Sequence, residues 1–362
     1  MLFIGLSLTT GLIVLAAMLP ISHCSHWIVR GLDFPRFQLA VIGAATAVIC
    51  ILGLDFSQPQ SWLLVLLNMA ATLYQLWWIA PYTPCWPKQV KRTAPHSKHA
   101  LVRILSSNVL MPNKNADALI DIIKARNPDI VVTLESNQWW EDQIKTIEAQ
   151  YPHTIKCPKE NLYGMHVYSK HALHDGSVKY LIDDDIPSIE ASITLANNRS
   201  VRLHFLHPTP PSPTESETSQ DRDSELILVA KKLANFQDPV IVTGDLNDVA
   251  WSKTTRLFRH QSGLKDPRIG RGMFNTFHAG YWFLRWPLDH LFHSDHFQLK
   301  TMARIKLKGS DHFALFTELS LANDSNKTTT DTQPDALSDD EKSLMRQRKQ
   351  EQQAKATNNH NG

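Results

Sequence analysis

The sequence predicts a layered α/β sandwich preceded by three transmembrane helices. Three observations lead to this fold class. The first 85 residues contain three uncharged apolar runs, and from Ala100 the chain alternates strand and helix patterns. An Asn197-Asn198 turn between two apolar strands indicates a hairpin, which favours a mixed sandwich over a purely parallel sheet.

The composition suits one large domain with an additional segment. The chain has 362 residues, 43% hydrophobic content and a formal net charge of +2. This near-neutral charge argues neither for nor against nucleic acid as a partner. The four cysteines show no CxxC or other metal-binding spacing, and only Cys157 lies well inside the soluble region, which argues against a disulfide-stapled fold.

The apolar runs cover residues 1–22, 37–54 and 62–82. None contains Lys, Arg, Asp or Glu, and each is about long enough to cross ~30 Å of hydrocarbon as a helix. A cleaved signal peptide is a weaker explanation of the first run, because it has no basic region before it and two further runs follow. We therefore predict a membrane anchor over 1–85 and a basic juxtamembrane linker over 86–99.

Basic residues suggest the orientation of this anchor. The residues after the third run include Lys88, Lys91, Arg92, Lys98 and Arg103. Positive-inside counting therefore favours a cytoplasmic location for the domain that follows. The periplasmic alternative stays open, because the first residues carry no orienting charge and the basic cluster could instead bind anionic lipid headgroups.

The soluble domain is predicted over residues 100–320. Strands are predicted at 101–107, 129–134, 165–169, 178–182, 189–195, 201–206, 240–243, 289–293, 298–305 and 312–319, and helices at 116–126, 138–150, 217–235 and 251–260. The proline-rich run 207–213 is a stiff loop that cannot join a sheet. The polar tail, 321–362, is expected to be disordered, with a transient helix over 336–355 as the alternative.

Polar side chains stand where the predicted strands begin or end. They are Asn108, Glu135, His207, Asp245 with Asn247, Asp289, and Asp311 with His312. Each alone has an ordinary explanation; an Asp and an Asn after a glycine, for example, often form a turn. Together, carboxylates, amides and histidines at strand ends are typical of an α/β enzyme site.

The chemistry that such a set supports is metal-assisted hydrolysis of a phosphoester. Mg²⁺ takes few protein oxygens and keeps its waters, so one Glu with one or two further Asp or Asn residues suffices. Cleavage also needs an aligned water and relief of charge on the phosphoryl oxygens. The sequence has no Walker loop, GxSxG elbow, HExxH motif or Cys/His nucleophile pairing.

Short motifs across residues 101–319 resemble those of the endonuclease/exonuclease/phosphatase superfamily, in the same order. The motifs are Ser107-Asn108, Leu134-Glu135-Ser136, Tyr163-Gly164, Tyr168-Ser169-Lys170, His207-Pro208, Gly244-Asp245-Leu246-Asn247, Leu288-Asp289-His290 and Ser310-Asp311-His312. This is the fold of DNase I, abasic-site endonucleases, inositol phosphatases and neutral sphingomyelinases. The resemblance implies a four-layer α/β sandwich with two packed mixed sheets flanked by helices.

The resemblance also implies a metal site. Glu135 would be the main Mg²⁺ ligand, with Asn108 and Asp311 nearby, and Mn²⁺ is the alternative ion. The abasic-site endonucleases carry an acidic residue where this chain has Leu110, which weakens a DNA-repair assignment. His290 stands where many members have Tyr or Arg.

Five further roles follow from the same resemblance. His312 would be the catalytic histidine and Asp289 would hold it. Asp245 would orient or deprotonate the attacking water. Asn247 would contact both the phosphate and the nucleophile, and His207 would stabilise phosphoryl charge.

The three leading runs, the His-Pro-x-Pro-Pro loop and the Gly-Asp-Leu-Asn-Asp-x-x-Trp-Ser run resemble a bacterial membrane-anchored branch of this superfamily. This resemblance implies a location in a bacterial inner membrane, with membrane lipids as partners. A lipid-linked phosphate or pyrophosphate, such as undecaprenyl pyrophosphate, is one substrate that the resemblance suggests. The aromatic stretch 274–287 could meet lipid or a stacked base, or could simply pack within the domain.

Two other functions remain as alternatives. The first is a membrane-tethered nuclease, which the scattered Lys and Arg and the acids after the His-Pro loop disfavour: Glu215, Glu217, Asp221 and Asp223. The second is an inactive scaffold or partner-binding module, which the full set of polar site residues argues against. No protein partner can be inferred from the sequence.

Overall fold

The computed structural model describes residues 1–94, 99–322 and 337–360. The amino-terminal part contains the helices α1 (Leu2–Met18), α2 (Trp27–Gly31), α3 (Arg36–Gly53) and α4 (Pro59–Ile79), and single 3₁₀ turns at Leu19–Ile21 and Ala80–Tyr82 extend α1 and α4. With these extensions, α1, α3 and α4 are long and apolar enough to cross a membrane, as the three apolar runs predict. These helices indicate that the chain is associated with a membrane.

The three long helices bury a few polar contacts between them. Arg36, at the start of α3, donates a hydrogen bond of 2.9 Å to Gln75 of α4 and pairs with Asp33 at 2.5 Å. Arg36 is buried, and a buried guanidinium needs partners of this kind. The pair Arg36–Gln75 places the beginning of α3 level with the end of α4.

The larger of two sheets has six strands. They are β1 (Leu101–Asn108), β2 (Ile130–Leu134), β3 (His153–Cys157), β4 (Met165–Ser169), β10 (Phe297–Lys306) and β11 (Phe313–Leu321), in the order β10-β11-β1-β2-β4-β3. Strands β1 and β2 run parallel, and the other neighbours run antiparallel. This sheet is therefore mixed, with its parallel pair in the middle.

The smaller sheet has five strands and the same mixed character. They are β5 (His174–Tyr180), β6 (Pro187–Thr194), β7 (Ser200–Leu206), β8 (Val240–Asp245) and β9 (Asp289–His293), in sequence order across the sheet. Here β7 and β8 are the parallel pair. Helices α5 (Ala116–Arg126) and α6 (Gln138–Ile144) cover the outer face of the larger sheet, and α7 (Gln220–Leu233) and α8 (Lys253–Ser262) cover that of the smaller one.

The two sheets pack face to face because their strands carry apolar side chains on both faces, with successive residues pointing to opposite faces. Ile104 and Ile241 point into the core between the sheets, whereas Leu105 and Val242 point out to the helices. This period of two is the geometry of extended backbone. Each fully buried aliphatic side chain stabilises the sandwich by about 1.5–3 kcal/mol. The four-layer sandwich that the sequence predicted is confirmed.

The structure differs from the sequence predictions in three elements. Strand β3 was not predicted, and the helix predicted over 138–150 ends at Ile144 and continues only as a 3₁₀ turn, Lys145–Ile147. The third difference is in the tail, where disorder was expected. A helix, α9 (Asp339–His360), packs against α7 there; residues 323–336 and 361–362 lie outside the described residues.

Two buried side chains explain the packing of α9. Arg348 pairs with Asp223 of α7 at 2.9 Å, and Leu344 packs against Ile227 and Leu257. Both α9 residues are almost fully buried. Because α9 is otherwise polar, it lacks the apolar stripe by which sequence patterns reveal a packed helix.

The membrane anchor packs directly on the sandwich through the segment that follows Asn247. Trp251 donates its indole N–H to the carbonyl of Asp33 at 2.7 Å, and the Tyr82 hydroxyl donates to the carbonyl of Ala250 at 2.6 Å. Ile79 and Tyr82 belong to the same apolar cluster as Val249 to Trp251. The end of α4 is thus joined to the loop after strand β8.

Candidate active site

The candidate site lies where the parallel strands of the two sheets end. The last residue of β1, Asn108, is paired with Leu134, so Glu135 follows directly beside it. In the other sheet, Asp245 at the end of β8 is in register with Asp289 at the start of β9. Since the sheets face one another, their polar strand ends meet at one edge of the sandwich.

Asp245 stands at the centre of the site. Its Oδ2 atom lies 3.2 Å from Asn108 Nδ2, 3.5 Å from His312 Nε2 and 4.0 Å from His207 Nε2. Burial alone would raise the pKa of Asp245, but the positive charge of His312 holds it below its ordinary value. Asp245 is therefore an anion at neutral pH.

Asn108 links the two carboxylates of opposite sheets. Its Nδ2 atom donates to Glu135 Oε1 at 2.7 Å as well as to Asp245, and its Oδ1 accepts the backbone N–H of Leu110 at 3.1 Å. Burial raises the pKa of Glu135 to about 7, an effect that the hydrogen bond from Asn108 opposes and the nearby Asp245 and Asp311 charges reinforce. A nearby positive charge would therefore stabilise the Glu135 carboxylate.

His312 and Asp289 form a buried pair. His312 Nδ1 lies 2.7 Å from Asp289 Oδ2, and the backbone N–H of Asp289 donates to Thr276 Oγ1 at 3.1 Å. Burial on its own lowers the pKa of His312, but the negative charges of Asp289 and Asp245 outweigh it and raise this pKa well above its ordinary value. His312 is consequently an imidazolium whose Nε2–H faces Asp245.

His207 and Asn247 complete the predicted set. Burial lowers the pKa of His207 to about 4, although Asp245 opposes this, so the ring is neutral at pH 7. Asn247 donates its backbone N–H to Asp245 Oδ1 at 3.0 Å and its side-chain amide to the carbonyl of Pro208 at 2.9 Å. Asn247 therefore ties the central carboxylate to the His-Pro loop.

The backbone around the site is constrained. Leu110, Glu135 and Asn247 adopt φ values of 58°, 57° and 51°, a left-handed region that costs non-glycine residues about 1–3 kcal/mol. Gly244 has φ 150°, and a Cβ atom there would lie 1.9 Å from the carbonyl oxygen of Leu206. Such strain at two site residues, and at Leu110 two positions after a third, is typical of a functional centre.

The donor set fits a divalent cation. Among the described residues, Glu135 Oε2, Asp289 Oδ1 and Asp311 Oδ1 are buried oxygens without a hydrogen-bond partner. Carboxylate oxygens are the ligands that Mg²⁺ and Mn²⁺ prefer. Asp311 lies close enough for its charge to raise the pKa of Glu135. A cation beside Glu135 and Asp311 would relieve this repulsion.

Asp245, Asp289 and His312 form a second group with metal-ligand geometry, because one ligand atom from each lies within 4.8 Å of the others. In this group, however, Asp289 occupies His312 Nδ1, and an imidazolium cannot donate a lone pair to a metal. The buried oxygens of Glu135 and Asp311 that lack a hydrogen-bond partner could hold a cation, whereas Asp245 and His312 face each other as a carboxylate and an imidazolium. Asn108 joins the two halves through its amide.

All eight predicted residues lie in or beside this site, but other residues that shape it had not been predicted. Buried Arg222 and Asp248 pair at 3.4 Å behind Asn247, and buried Arg268 donates to the carbonyl of Asp289 at 3.3 Å. Asp248 belongs to the Gly-Asp-Leu-Asn-Asp run, which is the only sequence signal for any of them. A buried charge is rarely visible in sequence, because its burial depends on distant segments.

Comparisons with solved structures agree with this architecture. An endonuclease/exonuclease/phosphatase from Beutenbergia cavernae DSM 12333 is 18% identical, with 62% of this chain and 72% of that one covered and a TM-score of 0.50. The human Nocturnin catalytic domain is 16% identical, with 61% of this chain and 95% of that domain covered and a TM-score of 0.50. An endonuclease/exonuclease/phosphatase from Bacteroides vulgatus is also 16% identical, with 61% of this chain and 99% of that one covered and a TM-score of 0.50. At these identities the likeness shows the fold alone.

Sequence comparison gives the family. Among curated proteins, no sequence matches this chain significantly. The profile of the Endonuclease/Exonuclease/phosphatase family matches residues 105–312, which is more than half of the chain and reaches from β1 to His312. The chain therefore belongs to the endonuclease/exonuclease/phosphatase family.

Proposed function

We propose that this chain is a membrane-anchored hydrolase of phosphoester bonds that uses Mg²⁺, with Mn²⁺ as the alternative ion, and an in-line attack by water. Family members are generally metal-dependent hydrolases of such bonds. The observation that best supports the proposal is the environment of Asp245 Oδ2, which three nitrogen donors surround within 4.0 Å. A carboxylate so placed can orient a water or accept its proton beside groups that stabilise phosphoryl oxygens.

Each side chain has a role in this proposal. Glu135 and Asp311 would hold the cation, which when bound neutralises charge on the phosphoryl oxygens. Asp245 orients the water and takes its proton. The imidazolium of His312, which Asp289 holds, donates to a phosphoryl oxygen and neutralises its negative charge.

Two neutral groups would hold the phosphate. His207 is uncharged at pH 7 and can donate a hydrogen bond to a phosphoryl oxygen from the ring nitrogen that carries its proton. Asn247 presents a side-chain amide that currently donates to Pro208 and can turn to a phosphoryl oxygen or to the nucleophile. In these positions a side-chain amide and a neutral imidazole would stabilise the negative charge that develops during the reaction.

The proposed substrate is a lipid-linked phosphate or pyrophosphate. The anchor supports this choice, because it holds the site beside the bilayer. Positive-inside counting, with Lys88, Lys91 and Arg92 after the third helix, favours the cytoplasmic side of a bacterial inner membrane. A carboxy-terminal reporter that becomes active only in the periplasm would reverse this orientation.

The function is tested with the full chain in detergent or bilayer discs. We expect Mg²⁺ or Mn²⁺, but not a chelator, to support release of phosphate from a polyprenyl pyrophosphate or cleavage of a soluble phosphodiester reporter. The variants Glu135→Ala and His312→Ala should lose activity by about 10²–10⁴-fold. Asp117→Ala and His174→Ala, which alter an exposed carboxylate and an exposed imidazole, are matched controls that should retain it.

The same assay separates the alternatives. Nicking of plasmid DNA without action on the lipid would replace the lipid phosphatase with a tethered nuclease. Activity that survives both Glu135→Ala and His312→Ala would refute the assigned site. Complete inactivity of a folded wild-type protein on all three substrates would favour a binding module.

A further inference from the structure

The loop 277–286, called here the aromatic loop, starts beside the candidate site. Phe277 pairs with Trp286 across its base, with the N–H of Phe277 donating to the carbonyl of Trp286 at 3.0 Å. The Phe277 ring also lies 4.9 Å from the ring of His312, measured between centroids. The position of this loop therefore directly affects the packing around the His312 ring.

The tip of the aromatic loop is apolar and exposed. Tyr281 is 52% exposed, Trp282 81% and Phe283 53%, and Leu284 follows as a fourth exposed apolar residue. A soluble surface seldom presents four such residues in succession, because each contributes apolar area that water solvates poorly. The tip thus has the surface of an element that contacts something apolar.

The position of the tip identifies what it contacts. Gln38, the third residue of α3, donates its side-chain amide to the carbonyl of Phe283 at 2.7 Å. Phe34, just before α3, packs edge-on against Trp286 with ring centroids 5.7 Å apart. At about 1.5 Å of rise per residue, Gln38 lies only ~3 Å inside the start of this apolar helix. The aromatic loop therefore packs against the end of α3 at which this helix would enter the membrane.

Other residues at this level are those expected at a membrane interface. The Arg36–Gln75 hydrogen bond aligns the start of α3 with the last turns of α4, where exposed Trp77 and Trp86 lie with ring centroids 6.4 Å apart. Tryptophans are enriched at the depth of lipid headgroups. The aromatic loop contacts α3 near the end of that helix that the Arg36–Gln75 hydrogen bond aligns with these tryptophans.

Cationic side chains beside the aromatic loop suit the headgroup region. Arg285 and Arg304 each place a guanidinium 5.1 Å from the ring centre of Phe313, the neighbour of His312. Within the described part of the chain, neither forms an ion pair with a carboxylate. Both guanidinium groups donate to backbone carbonyls and keep their positive charge, and two neighbouring cations without a carboxylate partner attract phosphate groups.

From these contacts we infer that the tip of the aromatic loop lies in the interfacial region of the bilayer, in the leaflet that contains the start of α3, and that the His312 site consequently opens at the surface of that leaflet. The partner is a lipid surface with anionic headgroups. The second half of the inference, that lipid-borne phosphates reach the site there, rests on the proposed function; the first half does not.

The first half is tested by spin-label depth measurements on the full chain. A variant with all four native cysteines (Cys24, Cys50, Cys85 and Cys157) replaced by Ser receives one label at Trp282→Cys, and the protein is placed in discs of phosphatidylethanolamine and phosphatidylglycerol. We expect the label to collide more with oxygen than with a water-soluble nickel chelate, as a label at Trp77→Cys should. A label at Tyr180→Cys, an exposed aromatic residue on β5, should prefer the chelate. A label at position 282 that behaves as the one at 180 overturns the inference.

A second measurement keeps the native cysteines. Brominated lipids should quench part of the tryptophan fluorescence of the wild-type protein, and Trp282→Phe should remove some of the quenched emission. The matched control, Trp140→Phe, changes a fully buried tryptophan and should remove only unquenched emission. Loss of unquenched emission from Trp282→Phe overturns the inference. Neither measurement depends on hydrolysis, so an inactive protein would refute the proposed function and leave both results interpretable.

The second half is tested by kinetics. Trp282→Asp should raise the KM for a polyprenyl pyrophosphate in bilayers by about tenfold, because a charge at the tip opposes its contact with lipid. Suppose that the spin label of Trp282→Cys lies in the interface but Trp282→Asp leaves the KM unchanged. This result would overturn the inference that lipid-borne substrate reaches the site there.

Discussion

Arg222 Nη1 donates a hydrogen bond of 2.8 Å to the backbone carbonyl of Asn247. Arg222 is buried and also contacts Asp223 at 2.9 Å, and Asp223 in turn pairs with Arg348 of α9. Asn247 adopts φ 51°, so its conformation needs support from the surrounding structure. Arg222 gives this support from behind the site.

We expect Arg222→Lys to lower kcat by about 10–100-fold with little change in KM. Lysine keeps the charge but lacks the planar fork that reaches Asp223 and Asn247 together, and a small displacement of a positioned group can cost ~10²-fold in rate. Arg103→Lys, at a salt-bridged arginine of β1 away from the site, is the matched control. Equal kcat values for the two variants, with both folded, would contradict the positioning role.

Gly244→Ala should destabilise the protein by about 3 kcal/mol or more, measured as a shift in thermal unfolding in detergent. An added Cβ would lie 1.9 Å from the backbone oxygen of Leu206 on the adjacent strand, and φ 150° is strained for alanine. Gly31→Ala is the control, since no heavy atom lies within 4 Å of its added Cβ. If both variants unfold at the same temperature, β7 and β8 do not approach each other at Gly244 as closely as described.

Asp289→Asn should reduce kcat/KM by about 10²-fold or more and move the high-pH limb of its pH profile to lower pH. The sign follows from the charge of Asp289, which raises the pKa of His312 against the effect of burial. Without that charge the imidazole loses its proton at a lower pH. Asp117→Asn, on an exposed carboxylate, should leave the limb where it is in the wild type. An unmoved limb in Asp289→Asn would show that His312 does not require its proton.

Cation binding should weaken as the pH falls below about 7, because the pKa of the Glu135 carboxyl is raised to about 7 and its proton competes with the ion. Calorimetry with Mn²⁺ in buffers of different ionisation enthalpy would detect the released proton. We expect the affinity to fall by about tenfold per pH unit below this pKa, and Glu135→Gln to abolish the dependence. A Glu135→Gln protein that binds Mn²⁺ as tightly as the wild type would remove Glu135 from the metal site.

Helix α9 should detach from the sandwich at acid pH. Burial alone would raise the pKa of Glu341, but hydrogen bonds from His260 at 2.6 Å and from the N–H of Ser338 at 2.9 Å lower it to about 2. Because docking of α9 lowers the pKa of Glu341, the Glu341 carboxylate stabilises the docked helix above a pH of about 4.5. This stabilisation is lost as the pH falls from there towards about 2. Proteolysis of the tail at graded pH should show this transition, and Glu341→Gln should flatten it. A transition that is unchanged in Glu341→Gln would assign it to another group.

Much of the fold and of the site was predictable from local sequence. The alternation that sends Ile104 inward and Leu105 outward, the uncharged length of α3, and the placement of Asp245 just after a glycine are properties of short segments. Extended backbone and helices impose fixed periods on side chains, so short segments determine which residues end a strand. The eight site residues were found because all of them lie within two residues of such an end.

Contacts between distant segments were decided only by the tertiary structure. The bond from Arg222 to Asn247, the docking of Trp251 on Asp33 and the burial of Arg348 each join residues far apart in the chain. No local pattern distinguishes these polar residues from solvated ones, since their energy comes from burial by other elements. The sequence alone determined that this chain has a phosphoesterase-like set of strand-end residues and a membrane anchor. Packing decided that a buried arginine supports Asn247 and that the aromatic loop meets α3 where it enters the membrane.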